Sequence, residues 1–320
     1  MDAAFTRRKL LLSAGTTVST GLAGCSEGGD GTPTGGATDV ATDTPTASSS
    51  GTTAPTGRSF PVDYREWLPR PALLGPDYYY FNADDYTQLR ADDDRFAQSI
   101  YDDYIERDVF DILGLGIDDV TYAIRTAATS FPTPSLVHGQ FSKSAIDDRL
   151  QSLDYAVAQE RETDTIYRAP DSGRFIGARD GVVALSPSST QEVAVQLSTP
   201  DDEDGGYTDE SDDLVSVLDA VGYGTFLFGG TTVPPDQSQA DPATGRFAGR
   251  IANAYADTVT GERTRSTFAY RFEDEAAADA ADVEAYFDSD SFHEYENVTI
   301  RRDGRNVVVE GAADTDELYT

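Results

Sequence analysis

The chain has 320 residues, with 57 Asp plus Glu against 24 Lys plus Arg, for a formal net charge of −33. A surface this acidic repels nucleic acid and anionic lipid headgroups, whose binding normally rests on basic patches. Cys25 is the only cysteine, so no internal disulfide can form, and stability must come from core burial.

The N-terminus carries the run Thr6-Arg7-Arg8-Lys9-Leu10-Leu11, and a weakly apolar stretch then leads to Leu22-Ala23-Gly24-Cys25. Twin arginines ahead of such a stretch read as a Tat-type export signal, and the small-residue tetrapeptide ending in cysteine reads as a lipobox. Thr16, Thr17, Ser19 and Thr20 dilute the segment well below the roughly 18 to 20 apolar residues that span a bilayer. Together with the spacer that follows and the acidic composition, these motifs resemble Tat-exported lipoproteins of extremely halophilic archaea. The resemblance implies cleavage before Cys25, lipid on its sulfur, and tethering to the extracellular face of the cell membrane, with Arg7 and Arg8 as the export signal.

Removal of residues 1–24 takes away Asp2, Arg7, Arg8 and Lys9, leaving 56 acids against 21 bases, or −35. Lys143 is then the one remaining lysine. Acid excess with arginine in place of lysine fits multimolar salt, where the Debye length is about 3 Å and self-repulsion is screened. Residues 25–58 hold the lipid-bearing cysteine and a Thr-, Ser-, Gly- and Pro-rich stretch too poor in apolar groups to offset ordering entropy, so they read as a disordered spacer.

Folded sequence begins near Phe60. Tyr78-Tyr79-Tyr80-Phe81 reads as a strand after Gly75-Pro76. Asp94 is placed to cap a helix with Phe96, Ile100 and Tyr104 in one stripe. Residues 120–126 and 136–141 read as short strands, and Ser144 as the cap of a helix bearing Ile146, Leu150 and Leu153. Residues 174–179 and 182–186 form a hairpin about Asp180-Gly181. An acidic stretch, 201–213, leads to a helix with Leu214, Leu218 and Val221. Further on, Phe268, Tyr270 and Phe272 alternate along a strand, and Asp274 caps a helix with Ala276, Ala280, Val283 and Phe287 in line. Residues 298–302 and 306–310 make a second hairpin about Asp303-Gly304.

This order predicts an α+β fold of antiparallel sheets with helices on one face. Strand, capped helix, strand and Asp-Gly hairpin occur in both parts, residues 59–205 and 206–320. Two readings stand: two related β-α-β-β modules, or two ordinary hairpins that each follow an ordinary helix.

Candidate chemistry is sparse. His138 lies in the strand-like run Leu136-Val137-His138-Gly139, and His293-Glu294-Tyr295-Glu296 opens like a zinc-protease helix but lacks its second histidine. Zinc needs three or four ligands at fixed spacings, so both histidines read as structural or surface residues. Asp202-Glu203-Asp204-Gly205 fails the calcium-loop pattern, because Pro200 and Ser211 fall where carboxylates are required. That stretch and Asp92-Asp93-Asp94 read as solvated acidic loops with weak, unselective cation binding in brine. No catalytic, cofactor or metal residue is assigned.

The tyrosines at 78–80, with Phe81, Tyr86, Tyr101 and Tyr104, are either half-buried core or a sugar-stacking platform, the former being commoner for such rings. Asn297-Val298-Thr299 is an N-glycosylation acceptor sequon, relevant if the chain is exported. The leading function is a tethered, non-catalytic module that contacts a ligand or protein partner outside the cell. The alternative is an extracytoplasmic, carboxylate-based hydrolase of glycosidase type, whose two acids would have to flank a cleft.

Overall fold

The structure of the protein, a computed structural model, describes residues 64–70, 79–97, 108–126, 136–187, 189–201, 206–208, 210–289 and 292–319. Seven strands come from the first part of the chain: β1 (Tyr79–Asp85), β2 (Val120–Thr126), β3 (Leu136–Gly139), β4 (Ala156–Glu160), β5 (Thr165–Arg168), β6 (Phe175–Arg179) and β7 (Val182–Ser186). Five follow: β8 (Phe226–Thr231), β9 (Arg250–Thr260), β10 (Arg263–Phe272), β11 (Glu296–Asp303) and β12 (Asn306–Asp314). The α-helices are α1 (Tyr86–Ala91), α2 (Asp108–Leu113), α3 (Lys143–Ser152), α4 (Thr190–Ser198), α5 (Asp212–Val221), α6 (Glu275–Ala280), α7 (Val283–Phe287) and α8 (Thr315–Tyr319).

The strands form one antiparallel sheet in the order β11-β12-β10-β9-β8-β1-β2-β3-β7-β6-β5-β4. The two parts of the chain therefore share a sheet, joined where β1 pairs with β8. Read outward from that pair, one half runs β1, β2, β3, β7, β6 and the other β8, β9, β10, β12, β11. The succession is the same. In each half a helical segment follows the third strand, and a tight hairpin supplies the last two. The first half adds the β4–β5 hairpin between its helix and its closing hairpin.

Both closing hairpins turn at the expected Asp-Gly pairs, with Gly181 at φ +69° and Gly304 at φ +56°, a region where a side chain would be strained. Successive residues of a strand point to opposite faces, and here both faces are covered. On β7, Val182 and Ala184 enter one core while Val183 and Leu185 enter another. The whole strand is buried, so it lacks the alternation of a half-wet strand.

The class is α+β with an antiparallel sheet, as the sequence predicts. Its helices lie on both faces of the sheet, whereas the sequence pattern predicts them on one. Helix α4 (through Val193 and Leu197) and α5 (through Leu214, Val217 and Leu218) cover the first face. On the second face, α3 packs Ile146 and Leu150 over the first half, and α7 packs Val283 and Phe287 over the second. Helical periodicity marks an apolar stripe but not the side of the sheet it meets.

Local corrections have local causes. Ser142, not Ser144, caps α3, because its Oγ accepts the Ala145 N–H at 3.2 Å. Asp94 lies within a 3-10 turn, Asp93–Arg95, that Phe96 ends in an extended conformation, and Ile100 and Tyr104 fall outside the described residues. Asp274 does cap a helix, accepting from Ala277 N at 2.7 Å. That helix stops at Ala281, which is extended at ψ 119°, and Asp282 caps a second one. The break resets the apolar stripe, leaving Ala276 and Ala280 exposed while Ala278, Val283, Tyr286 and Phe287 are buried.

Candidate functional site

Carboxylates are the chain's most abundant chemical resource, so their burial is the first test of any site. Among the described residues four aspartates are buried: Asp84, Asp92, Asp164 and Asp257. Asp84 on β1 meets the Arg125 guanidinium of β2 at 2.7 Å. Asp92, at the end of α1, accepts from the Gln88 amide and from the Gly261 backbone N–H at 3.1 Å, clasping α1 to the β9–β10 turn. Asp164 lies 3.5 Å from Arg161 and accepts from Thr163 in the β4–β5 turn. Asp84 and Asp92 fasten separate elements to each other, whereas Asp164 stays within one turn and its Oδ1 is buried without a hydrogen-bond partner. The stretch Asp92-Asp93-Asp94 thus divides: Asp92 is structural, while Asp93 and Asp94 are exposed as expected.

The fourth, Asp257, anchors a polar cluster on the sheet. It sits on β9 and accepts hydrogen bonds from Tyr255 on the same strand, Ser266 on β10 and Tyr319 on α8. The Ser266 hydroxyl also lies 3.2 Å from the Tyr295 hydroxyl. Burial, and next the charge of Asp257, push the Tyr255 phenol well above its ordinary range, so it stays a donor. Beside this cluster the Thr264 and Thr315 hydroxyls meet at 3.0 Å, and Thr315 also bonds the Gly261 carbonyl. The network holds the C-terminal helix against the sheet.

A second cluster surrounds His138 on the opposite face. Its imidazole stacks on Tyr122, with ring centroids 4.2 Å apart, and meets Trp67 edge-on at 4.4 Å. Arg179 lies over the Trp67 ring at 4.9 Å and ties its guanidinium to the Leu197 carbonyl and to Asp201. Burial first, and the Arg179 charge second, lower the His138 pKa to about 3. The ring is therefore neutral at any ordinary pH, and its Nε2 is buried without a hydrogen-bond partner. His293 differs: its side chain is 68% exposed, 3.5 Å from Glu294.

The aromatic platform is not assembled by the residues described. Phe81 and Tyr86 are fully buried and belong to different cores, and Tyr80 stacks at 6.2 Å on Phe228 of the neighbouring strand. Tyr78, Tyr101 and Tyr104 lie outside the described residues, as do Asp202-Glu203-Asp204-Gly205 and the signal residues Arg7, Arg8 and Cys25. Asn297 is exposed on β11, at the free edge of the sheet.

Trp67, Tyr122, Arg179 and the Asp257 cluster were not singled out by sequence. A faint signal existed for one pair only. Tyr255 and Asp257, two apart in a strand, share a face, but the other members come from residues 266 and 319. Among the described residues, no group of three or more His, Cys, Asp or Glu is placed to hold a metal ion, and no helix is long and apolar enough to cross a membrane.

No protein-family model and no curated protein matches this chain. Among solved structures, crystal form III of TP0453 is similar at a TM-score of 0.44 and 10% identity, over 81% of this chain and 96% of that one. Crystal form I of TP0453 gives a TM-score of 0.43 and 11% identity, over 81% and 99%.

Proposed function

We propose that the protein is an exported, lipid-tethered contact module: a folded α+β body held at the extracellular face of the membrane by lipid on Cys25, binding a ligand or protein partner without catalysing a reaction. The observation that carries the non-catalytic half is the commitment of the buried carboxylates. A carboxylate hydrolase needs one acid held protonated and a second free to act as base or nucleophile. Asp84, Asp92 and Asp257 are instead each occupied by donors from neighbouring elements, and Asp164 is held within its own turn by Arg161 and Thr163. The anchoring half rests on Arg7-Arg8 and Leu22-Ala23-Gly24-Cys25 alone.

Fractionation of a Cys25→Ser variant tests the anchor. Stable attachment takes two chains, each buried CH₂ contributing about 0.8 kcal/mol, so the variant should be unprocessed or released. Unchanged membrane retention and unchanged mature mass would refute it. Replacing Arg7 and Arg8 by lysine should block export, because an ammonium does not reproduce the guanidinium fork. Steady hydrolysis of a glycoside panel by the purified wild type would favour the enzyme reading instead.

A further inference from the structure

We infer that Asn297 carries an N-linked glycan and that this glycan screens the free edge of β11; the inference rests on the export proposed above. The sequon Asn297-Val298-Thr299 is a short motif, and by itself it says little. Its place in the fold says more. The β11–β12 ladder pairs Glu296 with Ala312 and resumes at Thr299 with Glu310, so Asn297 and Val298 together oppose Gly311. That is a β-bulge. Asn297 takes φ +54°, the left-handed region that asparagine tolerates better than most residues. Tyr295 and Val298 close over Gly311, where an added Cβ would stand 3.2 Å from the Tyr295 ring and 3.5 Å from the Val298 methyl. The bulge is thus packed in place on a built floor, while residues 296–299 remain exposed.

The surrounding strand explains why a glycan would matter. Among the described residues β11 is the last strand on its side of the sheet, so one row of its backbone N–H and C=O groups faces outward. Natural edges are guarded by charge, proline or bulges. Arg301, Arg302 and Asp303 guard the far end, but residues 297–300 are uncharged. Glu296 is drawn toward Arg263 at 3.0 Å. A branched sugar on the bulge would cover the unguarded stretch.

The chemistry requires a lipid-phosphate-linked oligosaccharide and a transferase on the extracellular side. The Asn297 Nδ2 forms a bond to the anomeric carbon as the bond from that carbon to the phosphate oxygen breaks. The electron pair leaves with the lipid phosphate, and the amide gives up one proton.

The test uses full-length protein purified from membranes at multimolar salt. Cleavage after arginine yields peptide 272–301, whose single asparagine is Asn297. Expected is a mass increase by whole sugar residues, lost in Asn297→Gln and Thr299→Val but kept in Thr299→Ser. The two unmodified variants should also self-associate more strongly in sedimentation than the wild type. An unmodified peptide from membrane-anchored protein overturns the glycan alone. An unmodified peptide from unprocessed, cytoplasmic protein overturns the export reading with it. A mass increase that persists in Asn297→Gln places the sugar on a hydroxyl and overturns the assignment. Modified wild type with unmodified variants of unchanged association overturns the screening.

Discussion

The imidazole of His138 lies nearly flat on the ring of Tyr122, the planes 12° apart. With Trp67 on another side and Arg179 beyond it, the ring has a lowered pKa of about 3, against an ordinary 6.5. The unfolded chain therefore takes up a proton near pH 6.5 that the folded chain refuses until about pH 3. This contribution to stability is complete above the upper value and is lost as pH falls toward the lower, by at most about 1.4 kcal/mol per pH unit. Glu284, held below its ordinary 4.5 by hydrogen bonds from Arg302, adds the same sign only at lower pH. His138→Phe should keep the stack, remove the orphaned Nε2 and flatten the stability curve between pH 6.5 and 5. Guanidinium midpoints at both pH values measure it; equal slopes in wild type and variant would refute it.

Asp257 accepts three hydroxyl groups from three separate elements, so its loss removes a shared acceptor from all three at once. A buried polar group left unsatisfied costs roughly 1–3 kcal/mol. Asp257→Ala should therefore destabilise by on the order of 3 kcal/mol or more, a large share of a typical 5–15 kcal/mol total. Tyr319→Phe removes one hydrogen bond to a charged acceptor and should cost about 1.5–3 kcal/mol. It should also speed amide exchange in α8 ahead of the rest of the sheet. Denaturant midpoints at constant salt and exchange of residues 315–319 give the comparison. A Tyr319→Phe cost as large as that of Asp257→Ala would mean that the cluster does not act as a shared acceptor.

How far the sequence showed these features depends on how local they are. The hairpins about Gly181 and Gly304 were legible because two residues fix each turn. The β10 strand was legible through Phe268, Tyr270 and Phe272, whose alternation marks one buried face. The single sheet was not, because β1 pairs with β8 across more than a hundred residues of intervening chain, and no local pattern encodes such a partner. For the same reason the clusters at His138 and Asp257 were not legible, beyond the shared strand face of Tyr255 and Asp257. Each gathers residues from strands and turns far apart in the chain, and only the register of the sheet brings them together. Asn297 was legible as a motif, whereas its bulge depends on Gly311, fourteen positions away.

Gly177 on β6 lets α4 approach the sheet. A Cβ there would stand 2.5 Å from the Val193 methyl and 2.7 Å from a Leu197 methyl. Both side chains are fully buried, so neither can swing into solvent. Gly177→Ala should therefore overpack this contact and cost about 1–3 kcal/mol. Gly177→Ala with Val193→Ala should recover part of that loss, as the shortened side chain makes room. Thermal midpoints of the single and double variants decide it: a double variant less stable than either single one would show that the strain lies elsewhere.

Salt should stabilise the whole fold, even though it weakens individual ion pairs. Exposed pairs such as Arg65–Asp219 and Arg263–Asp314 typically contribute about 0–1 kcal/mol each and lose that as salt rises. The half-buried Asp84–Arg125 pair is screened less. Against these losses stands a net charge of −33 spread over the chain. At about 0.01 M salt the Debye length is about 30 Å, so carboxylates across most of the domain repel one another; at about 1 M it is about 3 Å, and only near neighbours interact. Many weak repulsions outweigh a few exposed pairs, and tertiary structure should be lost on dialysis into dilute buffer. Acidification toward the isoelectric point near 4.1 should restore it only in part, because relief of repulsion is then opposed by the proton demand of His138. Chloride is the salt to use, since sulfate would also strengthen apolar burial. Near-UV circular dichroism and denaturant midpoints from about 0.05 M to about 3 M chloride should rise together; a flat midpoint would mean that the acidic surface acts on solubility alone.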